Sequence, residues 1–350
     1  GITITNYEML DAFDAGYFSG IVLDESSRIK SHDSKTRDQV LSVFARTPYR
    51  LACTATPAPN DYMELGNHSE FVGALSRNEM LAEYFVHDGG DTSKWRLRGH
   101  AEAKFWEYVA QWAIAVRKPS DLGYPDEGYD LSPLNMHEHI VDSNFGVDSG
   151  SFLYEAQTLI DQRNARRASL EGRVRLVADL VTSEPNESWC VWCDLNDESA
   201  ALTATIPGAV EVKGSDSIGH KERSMLGFTD GSVRVLVSKA SICGFGMNWQ
   251  HCARTVFAGV SHSFEMTYQA LRRFWRFGQT RPVDAHFVYS SAEGAVARNL
   301  RRKEAEAYAM QSSMIRAMRT IHGGGVRAFE KIGSIYRPTI KMEVPSWLQA

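Results

Sequence analysis

Short apolar segments alternate with amphipathic segments through the second half of the chain, and this alternation constrains the fold more than any other feature. The apolar runs predict strands at 188–193, 210–212, 233–238, 255–258 and 285–289. The amphipathic segments predict helices at 198–205, 221–228 and 264–274. Because parallel strands need long crossover connections, which are usually helices, this order predicts an α/β unit with a parallel sheet flanked by helices.

The first part of the chain has the same order on a smaller scale. Apolar runs at 21–23 and 49–54 predict strands, and the segment between them predicts a helix at 34–45. Strand, helix and strand with short links again indicate a parallel sheet.

Two longer segments have a helical pattern. The segment 80–116 is rich in Trp and Phe, with a polar interruption near 88–93. The segment 152–181 is amphipathic over its whole length. We therefore predict long helical stretches at both places.

The domain organisation follows from length and composition. The chain has 350 residues, which fits two domains of roughly 150 residues each. Residues 118–133 are rich in Pro, Gly and Asp, which predicts a boundary there or soon after. We predict domains at 1–139 and 140–320, the second ending in a basic helix at about 295–318. A loosely docked tail is predicted at 321–350.

Composition excludes several classes of protein. Hydrophobic residues make up 43% and charged residues 23%, which argues against disorder and fibrous structure. No run approaches the roughly 20 apolar residues that span a bilayer. Five cysteines are few and odd in number, which indicates a reducing compartment. We expect a cytoplasmic protein.

The net charge of −5 hides an asymmetry. The segment 269–320 carries a formal charge of +6, which leaves −11 on the rest of the chain. Such a segment is typical of an anion-binding face, and equally of a solvated basic helix. Both interpretations stay open on charge alone.

Two acids follow the first predicted strand. Asp24 and Glu25 stand at its carboxyl end, where α/β sheets bind their ligands. An Asp at this place can hold Mg²⁺, and a neighbouring carboxylate can deprotonate a water molecule. The alternative is an acidic turn that caps the next helix.

The residues around these acids resemble three motifs of the Swi/Snf-type ATPases of helicase superfamily II, in the family's order. LDESSRIK at 23–30 is similar to motif II, ITNYEML at 4–10 to motif Ib, and CTATPAPN at 53–60 to motif III. The Asp-Glu-Ser-Ser sequence is most similar to the bacteriophage branch of that family. The resemblance therefore implies a motor ATPase in a bacterium or a phage-infected cell.

Motifs II and III carry implied roles. The resemblance implies that Asp24 holds Mg²⁺ and that Glu25 activates the attacking water. Thr54 and Thr56 would couple hydrolysis to DNA. Ser27 stands where the family usually has a coupling histidine, which puts that coupling in question.

An arginine-rich segment carries the strongest resemblance. QALRRFWRFGQTRPV at 269–283 is similar to motif VI, and GFGMN at 244–248 to motif V. Arg273 and Arg276 are three residues apart, so we expect both on one face of a helix. The resemblance implies that they contact the γ-phosphate of ATP. It also implies that the nucleotide-binding face includes Gly246, Asn248 and Gln269.

The resemblance covers residues 2–289 and implies two RecA-like lobes, the first of them incomplete. ATP and Mg²⁺ would bind between the lobes, and duplex DNA would lie across both. The implied activity is that of an ATP-dependent helicase or duplex translocase. No GxxxxGK followed by Ser or Thr occurs in the chain. We therefore expect a part of a longer ATPase that exposes a sheet edge and hydrolyses little or no ATP alone.

Alternatives remain for the function and for the cysteines. The chain could be a non-catalytic DNA-binding or remodelling accessory with a decayed motor, or the motor part of a restriction enzyme. Four cysteines could be imagined as a zinc site, but buried thiols are favoured for them: Cys190, Cys193, Cys243 and Cys252.

Overall fold

The computed structural model describes residues 1–31, 34–88, 91–142, 159–244, 246–259, 261 and 263–322. The strands in these residues are β1 Gly20–Leu23, β2 Tyr49–Ala52, β3 Phe85–Asp88, β4 Asp91–Leu97, β5 Leu134–Val141, β6 Trp189–Cys193, β7 Ala209–Val212, β8 Val235–Lys239, β9 Arg254–Ala258 and β10 Val283–Ser290. The α-helices are α1 Lys35–Val43, α2 Leu65–Val72, α3 Arg77–Tyr84, α4 Glu102–Trp112, α5 Leu159–Ala168, α6 Leu170–Ser183, α7 Asn196–Thr205, α8 Ile218–Asp230, α9 Ala240–Cys243, α10 Phe264–Leu271 and α11 Gly294–His322. Each of these helices is too short or too polar to cross a bilayer.

The larger sheet has six strands within the described residues, in the order β5-β10-β9-β6-β8-β7, and all of its pairings are parallel. Side chains of β6 alternate between two cores. Cys190 and Trp192 pack with α8 and α10, whereas Val191 packs with α6 and α7. Helices therefore cover both faces, and the predicted α/β class with a parallel sheet is confirmed.

The smaller sheet pairs β1 with β2 in parallel. Leu23 lies on its buried face, in a core with side chains of α1 and α2. The opposite face exposes Val22, Tyr49 and Leu51 to solvent. Within the described residues neither strand has a second neighbour, so the sheet presents the open edges that were expected, together with an exposed apolar face that was not.

The stretch predicted as helical at 80–116 is interrupted by a hairpin, and this prediction is wrong in its middle. After α3, the strands β3 and β4 pair antiparallel, and α4 begins only at Glu102. Phe85 is buried against Phe105 of α4, with their ring centroids 5.4 Å apart. Aromatic residues at both ends of the polar interruption thus pack as strands on α4 instead of continuing a helix.

The helix predicted over 152–181 is two helices within the described residues. α5 ends at Ala168 and α6 begins at Leu170, with Ser169 between them at φ −96° and ψ 2°. Arg173 Nε donates to the Ser169 hydroxyl at 3.0 Å, and that hydroxyl donates to the Arg166 carbonyl at 3.2 Å. The break therefore serves a buried hydrogen-bond network. Residues 152–158 lie outside the described residues.

The helix α11 connects the two cores of the molecule. Val296 and Ala297 near its start pack in the core of the larger sheet. Met310 and Met314 pack with Phe105 in the core around α4. The strand β5, which pairs with β10, also spans the predicted boundary between 139 and 140. The division into domains stays a prediction, and of the tail predicted at 321–350 only residues 321 and 322 are described.

Candidate functional site

The site is built on the turn that follows β1. Glu25 has φ 50° and ψ 49°, and among the described residues it is the only non-glycine with positive φ. Its amide donates to Asp24 Oδ1 at 3.0 Å. On either side of this turn, the Cys53 amide donates to the Leu23 carbonyl at 2.8 Å and the Ser26 amide donates to the Cys53 carbonyl at 2.9 Å. Tertiary hydrogen bonds thus hold a strained backbone conformation, which is typical of functional sites.

The carboxylate of Glu25 lies against α10. Gln269 Nε2 donates to Glu25 Oε2 at 3.0 Å. Burial, and then the neighbouring Asp24, raise the pKa of Glu25, while Arg273 acts in the opposite direction. The side chain is therefore half-buried and partly paired, with a pKa above the ordinary value of a carboxyl group, as suits a group that exchanges a proton.

Arg273 is buried and held by three hydrogen bonds. Its Nε donates to the Gln269 carbonyl at 3.1 Å, its Nη2 to Gln269 Oε1 at 3.2 Å and its Nη1 to the Met247 carbonyl at 3.1 Å. Burial, and then Arg276, lower the pKa of Arg273, against the effect of Glu25. Gln269 thus connects Glu25 to Arg273, and these three predicted residues meet in the fold.

The expectation that Arg273 and Arg276 share a helical face is wrong. α10 ends at Leu271, and both arginines lie in the turns that follow. The buried Phe274 packs on Trp249 with ring centroids 5.9 Å apart, and the Trp249 amide donates to the Arg273 carbonyl at 3.0 Å. Insertion of this aromatic side chain into the core turns the chain away from the helix axis.

The remaining predicted nucleotide contacts lie on exposed backbone near Arg273. Gly246 and Asn248 are exposed and flank Met247, whose carbonyl Arg273 contacts. Gly246 has φ 76°, a conformation that favours glycine. Arg276 is half-buried, and its guanidinium has no hydrogen-bond or ion-pair partner among the described residues. The side chains of Arg276 and Asn248 are therefore available to a ligand.

One of the two predicted coupling threonines contacts the carboxylate of Glu265, a residue to which the sequence analysis gave no role. Thr56 is buried, and its hydroxyl donates to Glu265 Oε1 at 3.4 Å. Lys30 forms an ion pair with the same Glu265 of α10. Thr54 Oγ1 accepts from the Thr56 amide at 3.1 Å. The sequence did hint at this contact, because Glu265 and Gln269 are four residues apart and therefore lie on one face of the helix.

Ser26, and not the predicted Ser27, makes the side-chain contact to a histidine. Ser26 Oγ lies 3.1 Å from His68 Nε2, and both residues are buried. Burial lowers the pKa of His68 to about 4, so this imidazole is neutral near pH 7. Ser27 is buried as well, and its predicted coupling role stays a prediction. The sequence offered no local signal for His68, which lies 42 residues from Ser26.

The donor set fits Mg²⁺ held together with substrate phosphates. Within the described part of the chain, no cluster of three or more His, Cys, Asp or Glu side chains could hold a metal alone. Asp24 is exposed at the sheet edge and offers one carboxylate, and Mg²⁺ in phosphoryl-transfer sites commonly takes one or two. The four cysteines considered for zinc are buried in the core of the larger sheet, and none of them forms a disulfide within the described residues.

Comparisons with known proteins identify a distant structural likeness. No protein-family model matches the chain, and no curated protein matches it. Among solved structures, the fold is similar to one described as the crystal structure of the C-terminal part of the Fun30 ATPase domain. The TM-score is 0.34 and the sequence identity is 16%, over 37% of this chain and 45% of that one. The chain thus covers less than half of that structure.

Proposed function

We propose that this site is the γ-phosphate side of an ATP-hydrolysis site in a DNA-dependent ATPase. The observation that carries the proposal is the hydrogen-bonded connection from Glu25 through Gln269 to Arg273. It places a carboxylate that follows a parallel strand beside guanidinium groups from a distant segment. Phosphoryl transfer needs these two kinds of group on opposite sides of the reacting phosphate.

Asp24 and Glu25 have different roles, one in holding the metal ion and the other in accepting a proton. Bound Mg²⁺ would be held by Asp24 and would neutralise charge on the phosphates. Glu25 accepts a proton from the water molecule whose oxygen attacks the γ-phosphorus, and ADP leaves with the bonding electrons. A raised pKa makes Glu25 a better proton acceptor than an ordinary exposed carboxylate.

The arginines differ in how firmly they are held. Arg273 uses its three hydrogen bonds to keep Gln269 and the Met247 backbone in place. Arg276 has no such partners among the described residues. We assign to Arg276 the bidentate contact with the γ-phosphate, because a free guanidinium can follow the charge that develops in the transition state.

The phosphate loop is the component that the 350 residues lack. Hydrolysis at this site therefore requires a strand, phosphate loop and helix supplied by another segment or polypeptide. The apolar face of the smaller sheet, with Val22 and Leu51 more than half exposed, is the surface on which such a unit would pack. The same lack of a phosphate loop favours a second candidate, a non-catalytic DNA-binding accessory.

The test is DNA-stimulated ATP hydrolysis by the complete gene product that contains these residues. Arg276→Ala is expected to lower kcat by about 10³-fold or more, the usual effect of an arginine finger. Arg175→Ala removes an exposed arginine of α6 and serves as the matched control, with an unchanged rate. Full stimulation in Arg276→Ala would refute the assignment of that arginine. DNA binding without any hydrolysis would favour the accessory.

A further inference from the structure

A cavity of about 380 Å³ lies between the segment after α4 and the last turns of α11. Arg117 comes from the first of these elements, and the other lining residues come from α11: Ser312, Ile315, Arg316, Arg319 and Thr320. None of them belongs to the candidate nucleotide site. The volume lies near the lower end of the roughly 300–1,000 Å³ that is usual for small-ligand sites.

The cavity is strongly basic, and one buried carboxylate positions two of its arginines. Asp121, whose side chain is 3% exposed, lies 3.9 Å from Arg117 Nε and 3.4 Å from Arg319 Nη2. Asp121 Oδ2 also accepts from the amides of Arg117 and Lys118, at 2.9 and 3.2 Å. The lining residues include three arginines and no acid, so the single carboxylate of Asp121 leaves an excess of positive charge, which favours an anionic ligand.

Further contacts orient the arginines. Arg117 Nη1 donates to the Ser312 hydroxyl at 3.1 Å, and its guanidinium lies 5.0 Å from the centre of the Tyr308 ring. Arg319 Nη2 donates to the Ser120 carbonyl at 2.7 Å. A side chain that is already positioned loses little rotamer entropy when a ligand binds.

Arg316 is the arginine of the cavity whose charge is not paired with another described residue. It is exposed, lies one turn before Arg319, and has no side-chain hydrogen bond or ion pair among the described residues. Its helical neighbours at the cavity are Ser312, four residues earlier, and Thr320, four residues later. The buried Ile315 forms the apolar wall.

We propose that this cavity binds a phosphate group of a nucleic-acid backbone, with Arg316 as the main contact and Arg117 and Arg319 as positioned neighbours. The inference rests on the proposed function, for which it supplies a DNA contact outside the nucleotide site. The planar fork of a guanidinium matches two phosphate oxygens. A contact made to a phosphate positions the protein on the nucleic acid and does not itself read the sequence.

The exposed side of the cavity favours a polymer over a free ion. Arg316, Arg319 and Thr320 are exposed, so a chain that places one phosphate between them can continue past the site in both directions. The volume accommodates a phosphodiester with part of its sugar, which a single inorganic phosphate would not fill. Free pyrophosphate offers the same phosphate groups to the arginines. The experiment below distinguishes it from a nucleic-acid backbone.

The experiment measures binding of the whole chain to a fluorescein-labelled 20-base-pair duplex by anisotropy, over a range of NaCl concentrations. Arg316→Ala is expected to raise Kd about 3- to 10-fold near 0.1 M salt. It should also reduce the slope of log K against log salt by about 1, as for one lost phosphate contact. Arg316→Lys keeps the charge and should restore most of the affinity. Arg175→Ala is the control, with unchanged Kd and slope.

The possible failures are distinguishable. If the wild type binds the duplex and Arg316→Ala has the same affinity and slope, this inference is overturned while the proposed function stands. If the wild-type chain binds no duplex, the backbone as ligand is overturned, while the proposed function is decided separately by DNA-stimulated ATP hydrolysis of the complete gene product. A third outcome is that pyrophosphate raises the melting temperature of the wild type but not of Arg316→Ala, while neither protein binds the duplex. That result would overturn the nucleic-acid backbone as the ligand in favour of a free phosphate compound.

Discussion

Gln269 Nε2 donates a hydrogen bond to Glu25 Oε2 at 3.0 Å, although 244 residues separate the two in the chain. One turn earlier on α10, Glu265 contacts Lys30 and Thr56. A single face of α10 thus contacts both the acidic turn after β1 and the segment after β2. Any change in the position of α10 relative to the smaller sheet therefore alters the surroundings of Glu25.

Loss of Glu265 should weaken this junction. In Glu265→Ala, Lys30 and Thr56 lose their shared partner in a half-buried place, so we expect the free energy of unfolding to fall by about 1–3 kcal/mol. Urea denaturation measures the change. Glu8→Ala breaks an exposed ion pair with Arg28 and should cost below about 1 kcal/mol. Equal losses in the two variants would contradict the coupling of α10 to the smaller sheet.

The backbone of Glu25 should make glycine more stable than alanine at this position. Both Glu25→Gly and Glu25→Ala remove the carboxylate and the contact with Gln269. Only glycine adopts a φ of 50° without steric strain, so Glu25→Gly should be more stable by about 1 kcal/mol. The measurement is the difference in unfolding free energy between the two variants. An Ala variant as stable as the Gly variant would show that the turn is not strained.

The buried carboxylate of Glu198 should be essential for folding stability. Arg166 Nε donates to Glu198 Oε1 at 2.6 Å, and Arg173 Nη2 lies 2.8 Å from the same atom. Burial raises the pKa of Glu198, but the two arginines outweigh it and the net direction is down. Glu198→Ala leaves two buried guanidinium groups without this partner and should cost about 3–5 kcal/mol.

Denaturation with urea checks this cost. Glu171→Ala on the exposed surface of α6, which removes a pair with Arg175 at 3.6 Å, is the matched control and should change stability by less than about 0.5 kcal/mol. A cost for Glu198→Ala as small as that of the control would mean that the two arginines find equivalent partners elsewhere.

His68 should make the protein less stable in mild acid. Burial lowers the pKa of His68 to about 4 in the folded chain, against about 6.5 in the unfolded chain. Between these values the unfolded chain binds a proton that the folded chain does not, so stability falls as the pH drops from about 6.5 to 4. The shift corresponds to about 3 kcal/mol over that range.

The contribution of His68 is isolated by substitution. His68→Gln keeps a polar partner for Ser26 but cannot take up the proton, so its stability should fall less over the same pH range, by up to about 3 kcal/mol. His100→Gln, at an exposed position, should retain the pH dependence of the wild type. Denaturation midpoints at pH 4.5 and pH 7 for the three proteins give the comparison, and identical pH dependence in all three would contradict the burial of His68.

Local pattern predicted five of the six strands of the larger sheet, but it missed β5 and misplaced some helix ends. The strand predicted at 188–193 is β6, Trp189–Cys193, because a strand buried on both faces is a continuous apolar run. The helix predicted at 264–274 ends three residues early, at Leu271. Phe274 fits the 3.6-residue period, yet its side chain packs against Trp249 in the core, and the helix ends before it. Helix propensity favours continuing the helix, whereas burial of an aromatic side chain ends it, and only the tertiary packing shows which of the two prevails.

The sequence by itself determined the α/β class, seven of the strands, and the position of Asp24 and Glu25 at the end of a strand; it did not indicate β3, β4 or β5. The features that it determined follow from periodicity and from the residues on either side of each element. Only the tertiary structure decided that Glu265 pairs with Lys30, that Ser26 contacts His68, and that Asp121 holds Arg117 beside Arg319. Most of these contacts join residues that are far apart in the chain, and they exist because α2, α10 and α11 pack against the first part of the molecule. No local pattern encodes that packing.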